Sequence, residues 1–469
     1  MNTKSDQHIL SFREKAAYGL GDFASSMFWK LFSIFLLFFY TDVFGITAAA
    51  VGTMFLVTRI WDAANDPLMG ILCDRTESKY GKFRPYLLYG ALPFAIVGIL
   101  TFSTPDLSAN GKLIYAYITY TLMMMAYTSI NVPYASLMGV MTNNTGERTS
   151  LASYRFIGAF SGGLFVTSTA NYLVEYFGGA GSASGYQWTV GIYAALAAIL
   201  FVLTFAGTKE RLKPTIKKPE LKEDLKDIAK NGPWFIMLGA AISVLIFNSL
   251  RDGSILYYFK YYIQDQTVSI FGSTYELSQG ALSSAYLSIW LGTNIIGVLL
   301  AKPISSRIGK KKTFLLSAIL SAILSFVIFF IQPDQLGLLF FSNVLIGISA
   351  GIVLPLIWAM YADISDYSEW KTGRRATGLI FSSSSMSQKF GWTIGGAISG
   401  WLLAVFGFEA NVAQTEDALL GIRLMISVIA GLGALLATGF MFFYKLDEET
   451  MKGIEAELIA SREAAETES

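Results

Sequence analysis

Residues 188–207 read WTVGIYAALAAILFVLTFAG, without one charged side chain. A helix of that length rises about 30 Å, the thickness of the hydrocarbon core of a bilayer. Its apolar residues run continuously instead of alternating, which argues for a membrane-crossing helix and against a strand of a transmembrane barrel. The same reading recurs outward from this segment in both directions. Candidate spans fall at 19–44, 48–73, 84–103, 112–140, 150–177, 188–207, 233–264, 277–301, 313–331, 335–361, 374–406 and 417–445. The expected fold is an all-α membrane protein of twelve transmembrane helices.

Composition points the same way. The chain has 469 residues, of which 53% are hydrophobic and 15% charged, against about 25% charged in soluble domains. A net charge of +1 gives no reason to expect nucleic-acid binding. One cysteine, Cys73, excludes an intrachain disulfide, and with one histidine there is no zinc or iron cluster and no histidine-based general-base enzyme. No nucleophile, metal centre or phosphate loop stands out, so the chain is read as no enzyme and as needing no cofactor. The opening MNTKSDQHILSFRE is polar, without the basic-then-apolar pattern of a cleavable signal.

Basic residues set an expected orientation. Arg75, Lys79, Lys82 and Arg84, then Arg148, then eight Lys/Arg from Lys209 to Lys230 follow even-numbered spans. Lys302, Arg307, Lys310 to Lys312, Lys371, Arg374 and Arg375 continue the series, whereas the opposite loops offer little beyond Lys112. The positive-inside rule then puts the even-numbered loops and both termini in the cytoplasm. The long charged stretch after span six divides the chain into a six-helix half (1–207), a central loop (208–232), a second six-helix half (233–445) and a tail (446–469). That is the layout of a transporter with two pseudo-symmetric halves. The tail reads as a solvated helix or as disorder.

Charges inside the spans are costly and mark functional candidates. Span two carries Arg59, Asp62 and Asp66 in VTRIWDAANDPLMG. Asp62 and Asp66, four residues apart, share a helix face, and two such carboxylates repel unless a cation or proton sits between them. Asn65 and a backbone carbonyl freed by Pro67 could add neutral oxygens. The alternative is a structural ion network neutralised by Arg59. Span one places Asp22 and Trp29 two turns apart in GLGDFASSMFW, a carboxylate and an aromatic ring that suit a sugar. Thr128 and Asn131 in span four, Arg155 in span five and Lys389 in span eleven complete a two-signed polar set, best explained by a polar cavity within the bundle.

These stretches resemble the glycoside–pentoside–hexuronide:cation symporters of the major facilitator superfamily. The resemblance rests on YGLGDFASSMFW (18–29), RIWDAANDPLMGILCDRT (59–76), SKYGKFRPYLL (78–88), NVPYASL (131–137) and ADISDYSEWKTGRRATG (362–378), in order along all twelve spans. It implies the major facilitator fold and a monomer in the bacterial inner membrane that imports a sugar or glycoside with Na⁺ or H⁺ by alternating access. It assigns the cation site to Asp62, Asn65, Asp66 and Thr128, with Asp62 and Asp66 the ligands of any metal ion, and the sugar contacts to Asp22, Trp29 and Arg155. Lys389 matches a lysine near both sites, and Asp363, Asp366 and Arg375 match a charged inner-gate network. The chain departs from melibiose permease, a member of that family, at Asn131 (an aspartate there), Ala135 (a tryptophan) and Gly21 (a lysine). With one carboxylate fewer beside the sugar, an anionic hexuronide gripped by Arg155 is one expectation. A neutral glycoside bonded by Asn131 is the other. The rivals outside this reading are a sugar-binding membrane receptor that moves nothing and a lipid transporter of the same fold.

Overall fold

The computed structural model describes residues 9–142, 145–179, 181–212, 230–270, 273–372 and 377–467. Among these, twelve long helical segments follow the twelve apolar stretches: α1 (Phe12–Val43), α2 (Ala48–Arg75), α3 (Arg84–Thr101), α4 (Ala109–Met141), α5 (Thr145–Gly178), α6 (Ala183–Gly207), α7 (Gly232–Ile263), α8 (Gln279–Ile308), α9 (Lys310–Ile328), α10 (Leu336–Thr372), α11 (Thr377–Val405) and α12 (Glu416–Phe442). Side-chain caps start several of them: Ser11 for α1, Ser108 for α4, Ser182 for α6 and Asn231 for α7. Among the described residues, nine of the twelve are apolar enough to count as membrane spans by length and composition. Large apolar side chains such as Leu299, Phe330 and Val405 point outward, as a lipid-facing surface requires.

Helix ends overrun the expected spans. The first helix starts at Phe12 instead of 19 and α10 continues to Thr372 instead of 361, because polar turns extend helices past what hydropathy detects. Between α7 and α8 the chain forms an antiparallel hairpin of β1 (Gln266–Ile270) and β2 (Ser273–Leu277), with Val268 opposite Tyr275. The tail takes the helical one of its two expected readings, and it is docked and not wholly solvated. It forms α13 (Glu448–Thr467), capped by Asp447, whose Oδ1 accepts from the Thr450 backbone N–H at 3.0 Å and hydroxyl at 2.6 Å. Those bonds favour the ionised carboxylate and hold Asp447 below the usual carboxylate range. Met451, Ile454 and Leu458 form one helical stripe packed on a core that includes Tyr361 and Ile364, and Trp370 Nε1 donates to Glu457 at 2.6 Å.

The chain groups into two compact units. The first comprises Met1–Ile216, Phe259–Ser288 and Gly400–Thr415. Within it α1 and α5 touch backbone to backbone, because a Cβ at Gly158 would collide with the Gly19 carbonyl oxygen and one at Gly162 with that of Phe23. At the far end of α1 the buried Asp42 accepts from Lys260 Nζ at 2.7 Å, from Thr41 Oγ1 at 2.7 Å and from the Tyr261 hydroxyl. Asn411 closes the knot, donating to the Asp42 carbonyl at 2.6 Å and accepting from Lys260 at 2.6 Å. Asp42 and its α7 partners sit on π-helical turns (Phe39–Val43 and Tyr258–Ile263), whose extra residue redirects side chains.

The second unit comprises Lys217–Tyr258, Ile289–Ser399 and Glu416–Ser469. Its interior holds Arg251 and Asp252, both buried. Arg251 donates to Asn343 Oδ1 at 3.2 Å and to the Ile426 carbonyl at 3.4 Å, with its guanidinium 5.0 Å from the Trp290 ring centre.

Candidate functional site

In the first unit, α2 and α4 bring three of the four expected cation-site residues into contact or near it. Thr128 Oγ1 lies 3.0 Å from Asp62 Oδ1 and 3.1 Å from Asp66 Oδ1, so one hydroxyl is shared by two carboxylates. Asp62 and Thr128 are each 3% exposed. The helical spacing of Asp62 and Asp66 creates the arrangement, and Thr128 reaches it from the neighbouring helix. Carboxylates and a hydroxyl are the donors a hard cation takes, and they would equally hold a proton between them. Asn65 is half-buried on the same helix. The side chain of Arg59 lies outside those described.

Four of the expected sugar residues lie in this unit, in two separate contacts. Arg155 Nε donates to Asp22 Oδ2 at 2.6 Å, a pairing made possible by the glycine contacts between α1 and α5 on either side of it. Trp29 packs on Tyr127 with ring centres 5.9 Å apart. Asn131 Nδ2 bonds the Tyr127 carbonyl at 3.0 Å, one turn back on its own helix. Tyr127 and Thr128 are consecutive, so α4 touches the aromatic wall of one cluster and the carboxylates of the other. Sequence reading missed Tyr127, although it stood beside Thr128 in a polar stretch of the span.

The departure at Gly21 has a structural explanation. A Cβ there would lie 2.5 Å from the Tyr134 ring, so no side chain fits. Tyr134 stacks on Tyr18 with centres 4.7 Å apart, and each hydroxyl donates to the other residue's carbonyl, at 3.2 and 2.6 Å. The Arg155 guanidinium lies 5.1 Å from the centre of the Tyr134 ring.

In the second unit, both oxygens of Asp363 accept from Lys310 Nζ at 2.7 Å. Sequence reading used Lys310 only to set orientation. Asp366 lies one turn on in α10, half-buried, and Arg375 falls outside the described residues. Lys389 lies on α11 in this unit, where its carbonyl accepts from Thr393 Oγ1 at 2.6 Å. Arg251, Asp252 and Lys260, three charges in one apolar run, had been passed over in the sequence.

A family described as MFS/sugar transport protein matches residues 17–448. The chain is 38% identical over 421 residues to the inner membrane symporter YicJ of Escherichia coli strain K12, covering 90% of this chain and 88% of that one. It is 36% identical to the putative glycoside/cation symporter YagG of the same strain, over 97% of this chain and 96% of that protein. Among solved structures it resembles the nucleoside transporter NupG with a TM-score of 0.62 at 18% identity, covering 93% of this chain and all of that one, which speaks to the fold alone.

Proposed function

The chain belongs to the MFS/sugar transport protein family, and from that premise we propose that it is a secondary active transporter coupling uptake of a glycoside to a monovalent cation or proton. The observation that carries this reading is α4. Thr128 bonds both carboxylates while the adjacent Tyr127 packs on Trp29. A cation between Asp62 and Asp66 offsets one of their two charges and relieves their repulsion, fixes Thr128, and through the adjacent Tyr127 steadies the aromatic wall against which the sugar packs. Reciprocity then requires that sugar tighten the cation by the same factor. Asp22 and Arg155 hold sugar hydroxyls in this proposal, with Asn131 and Lys389 as further contacts. Asp363 with Lys310, and by resemblance Asp366 and Arg375, form a gate that opens and closes at the basic-loop end.

The same reading sets the protein in the bacterial inner membrane, where YicJ is named as residing, with both termini cytoplasmic, as the basic loops favour. Residues 1–207 and 233–445 act as the two halves that rock in alternating access. The hexuronide expectation loses its main support. Asp22 balances the charge of Arg155, and relative to melibiose permease the chain lacks a lysine at Gly21 as well as a carboxylate at Asn131, so the two changes cancel in charge. A neutral glycoside fits better. A thermal-shift screen of neutral and uronic sugars, with and without Na⁺, tests it: stabilisation by a neutral glycoside that grows with cation is expected. Stabilisation by uronic acids alone would reverse the substrate assignment.

A further inference from the structure

We propose that Tyr134 is a positioning residue for substrate binding: its ring fixes the Arg155 guanidinium beside Asp22, and Gly21 is the space the ring requires. This rests on the transporter reading above and adds to it a residue that touches neither a candidate cation ligand nor the expected sugar wall.

Four contacts converge on the ring. It stacks on Tyr18 at 4.7 Å and fills the position of a residue-21 Cβ. Its hydroxyl donates to the Tyr18 carbonyl at 2.6 Å, and its face lies 5.1 Å from the Arg155 guanidinium. Tyr134 is fully buried, so the ring has no alternative place to go. Arg155 meets Asp22 through Nε. With Nε as its contact to Asp22, the guanidinium can pivot about that bond, and swinging it would carry its terminal NH₂ groups several ångströms. The aromatic face beneath it removes that freedom, because a cation over a desolvated ring is attracted to it. The terminal NH₂ groups are then aimed in one direction before substrate arrives, which lowers the cost of ordering them on binding. The reciprocal hydroxyl bonds tie this geometry to both α1 and α4, so the ring cannot shift without moving a spanning helix.

The test compares variants of the full-length protein in detergent, with calorimetric titration of the best sugar from the panel and, separately, of Na⁺. Tyr134→Phe keeps the face and should hold sugar affinity within about threefold. Tyr134→Leu removes the face and should weaken sugar about ten- to thirtyfold, the size of a desolvated cation–π contact. Cation affinity should not change in either variant. That separates positioning from general damage to α4, which would also displace Thr128. Gly21→Ala should push the ring aside and reproduce the leucine loss, yet add nothing in a Tyr134→Leu background. If the leucine variant does not express, Gly21→Ala against Tyr134→Phe carries the comparison. The inference is overturned if Tyr134→Leu binds sugar as wild type does, if sugar and cation affinity fall together, or if the Gly21 effect is additive. If wild type binds no sugar at all, the transporter reading itself falls and takes this inference with it.

Discussion

Removing one charge from the paired carboxylates is the sharpest perturbation of the proposed coupling. The Thr128 oxygen lies 3.0 Å from Asp62 and 3.1 Å from Asp66, so a cation seated beside it is within about 4 Å of both. At that separation and an effective permittivity near 20, each carboxylate contributes about 4 kcal/mol, roughly a thousandfold in Kd. In Asp66→Asn the amide oxygen remains as a neutral ligand, so the expected loss is roughly a hundredfold to a thousandfold. Na⁺ and Li⁺ titrations followed by tryptophan fluorescence, repeated across pH to catch a proton in the same role, would measure it. The coupling should disappear with the site: the ratio of sugar Kd without and with cation should approach one in Asp62→Asn and Asp66→Asn. Sugar exchange without a cation gradient can persist, since Asp22 and Arg155 are untouched. A variant that keeps wild-type cation affinity, or that keeps cation-dependent sugar binding, would refute the assignment of these carboxylates.

Asp22→Ala should abolish measurable sugar binding while cation titration stays within a fewfold of wild type, and simultaneous loss of both by calorimetry would make Asp22 structural. Lys310→Met leaves Asp363 buried without its ammonium and should cost about 2–3 kcal/mol, less than the roughly 3–5 of a fully buried pair because Lys310 is one-third exposed. Most of that thermal stability should return in Lys310→Met/Asp363→Asn, and no rescue would contradict the pairing. Gly158→Leu should separate α1 from α5 and eliminate folded protein or sugar binding, whereas Gly191→Ala, with open space around it, should be neutral by thermal unfolding.

The fold was legible because a bilayer demands long apolar helices, and residues 188–207 and their counterparts supply them. The charged residues of α2 and α5 were legible as site candidates for the same reason, since apolar surroundings make an ionisable group conspicuous. What stayed hidden depended on contacts between helices. Tyr134 looks like any aromatic in a span, and nothing in its own stretch reveals that it fills the space left by Gly21. Lys310 reads as one more basic loop residue until α9 and α10 are packed together. Arg251 and Asp252 could have been found by the rule that found Asp62 and Asp66, for they stand in an equally apolar run. The α13 stripe of Met451, Ile454 and Leu458 was visible as helical spacing but too diluted by charge to announce a docked helix.

Gradient-driven uptake into proteoliposomes tests the central claim most directly. Purified protein would be reconstituted with a labelled glycoside from the screen, and inward Na⁺ and H⁺ gradients imposed separately. Accumulation above the external concentration under one of these gradients, abolished by an ionophore that dissipates it and absent in Asp66→Asn, is the expected result. Sugar binding with neither accumulation nor counterflow under any gradient would contradict the account and make the protein a receptor.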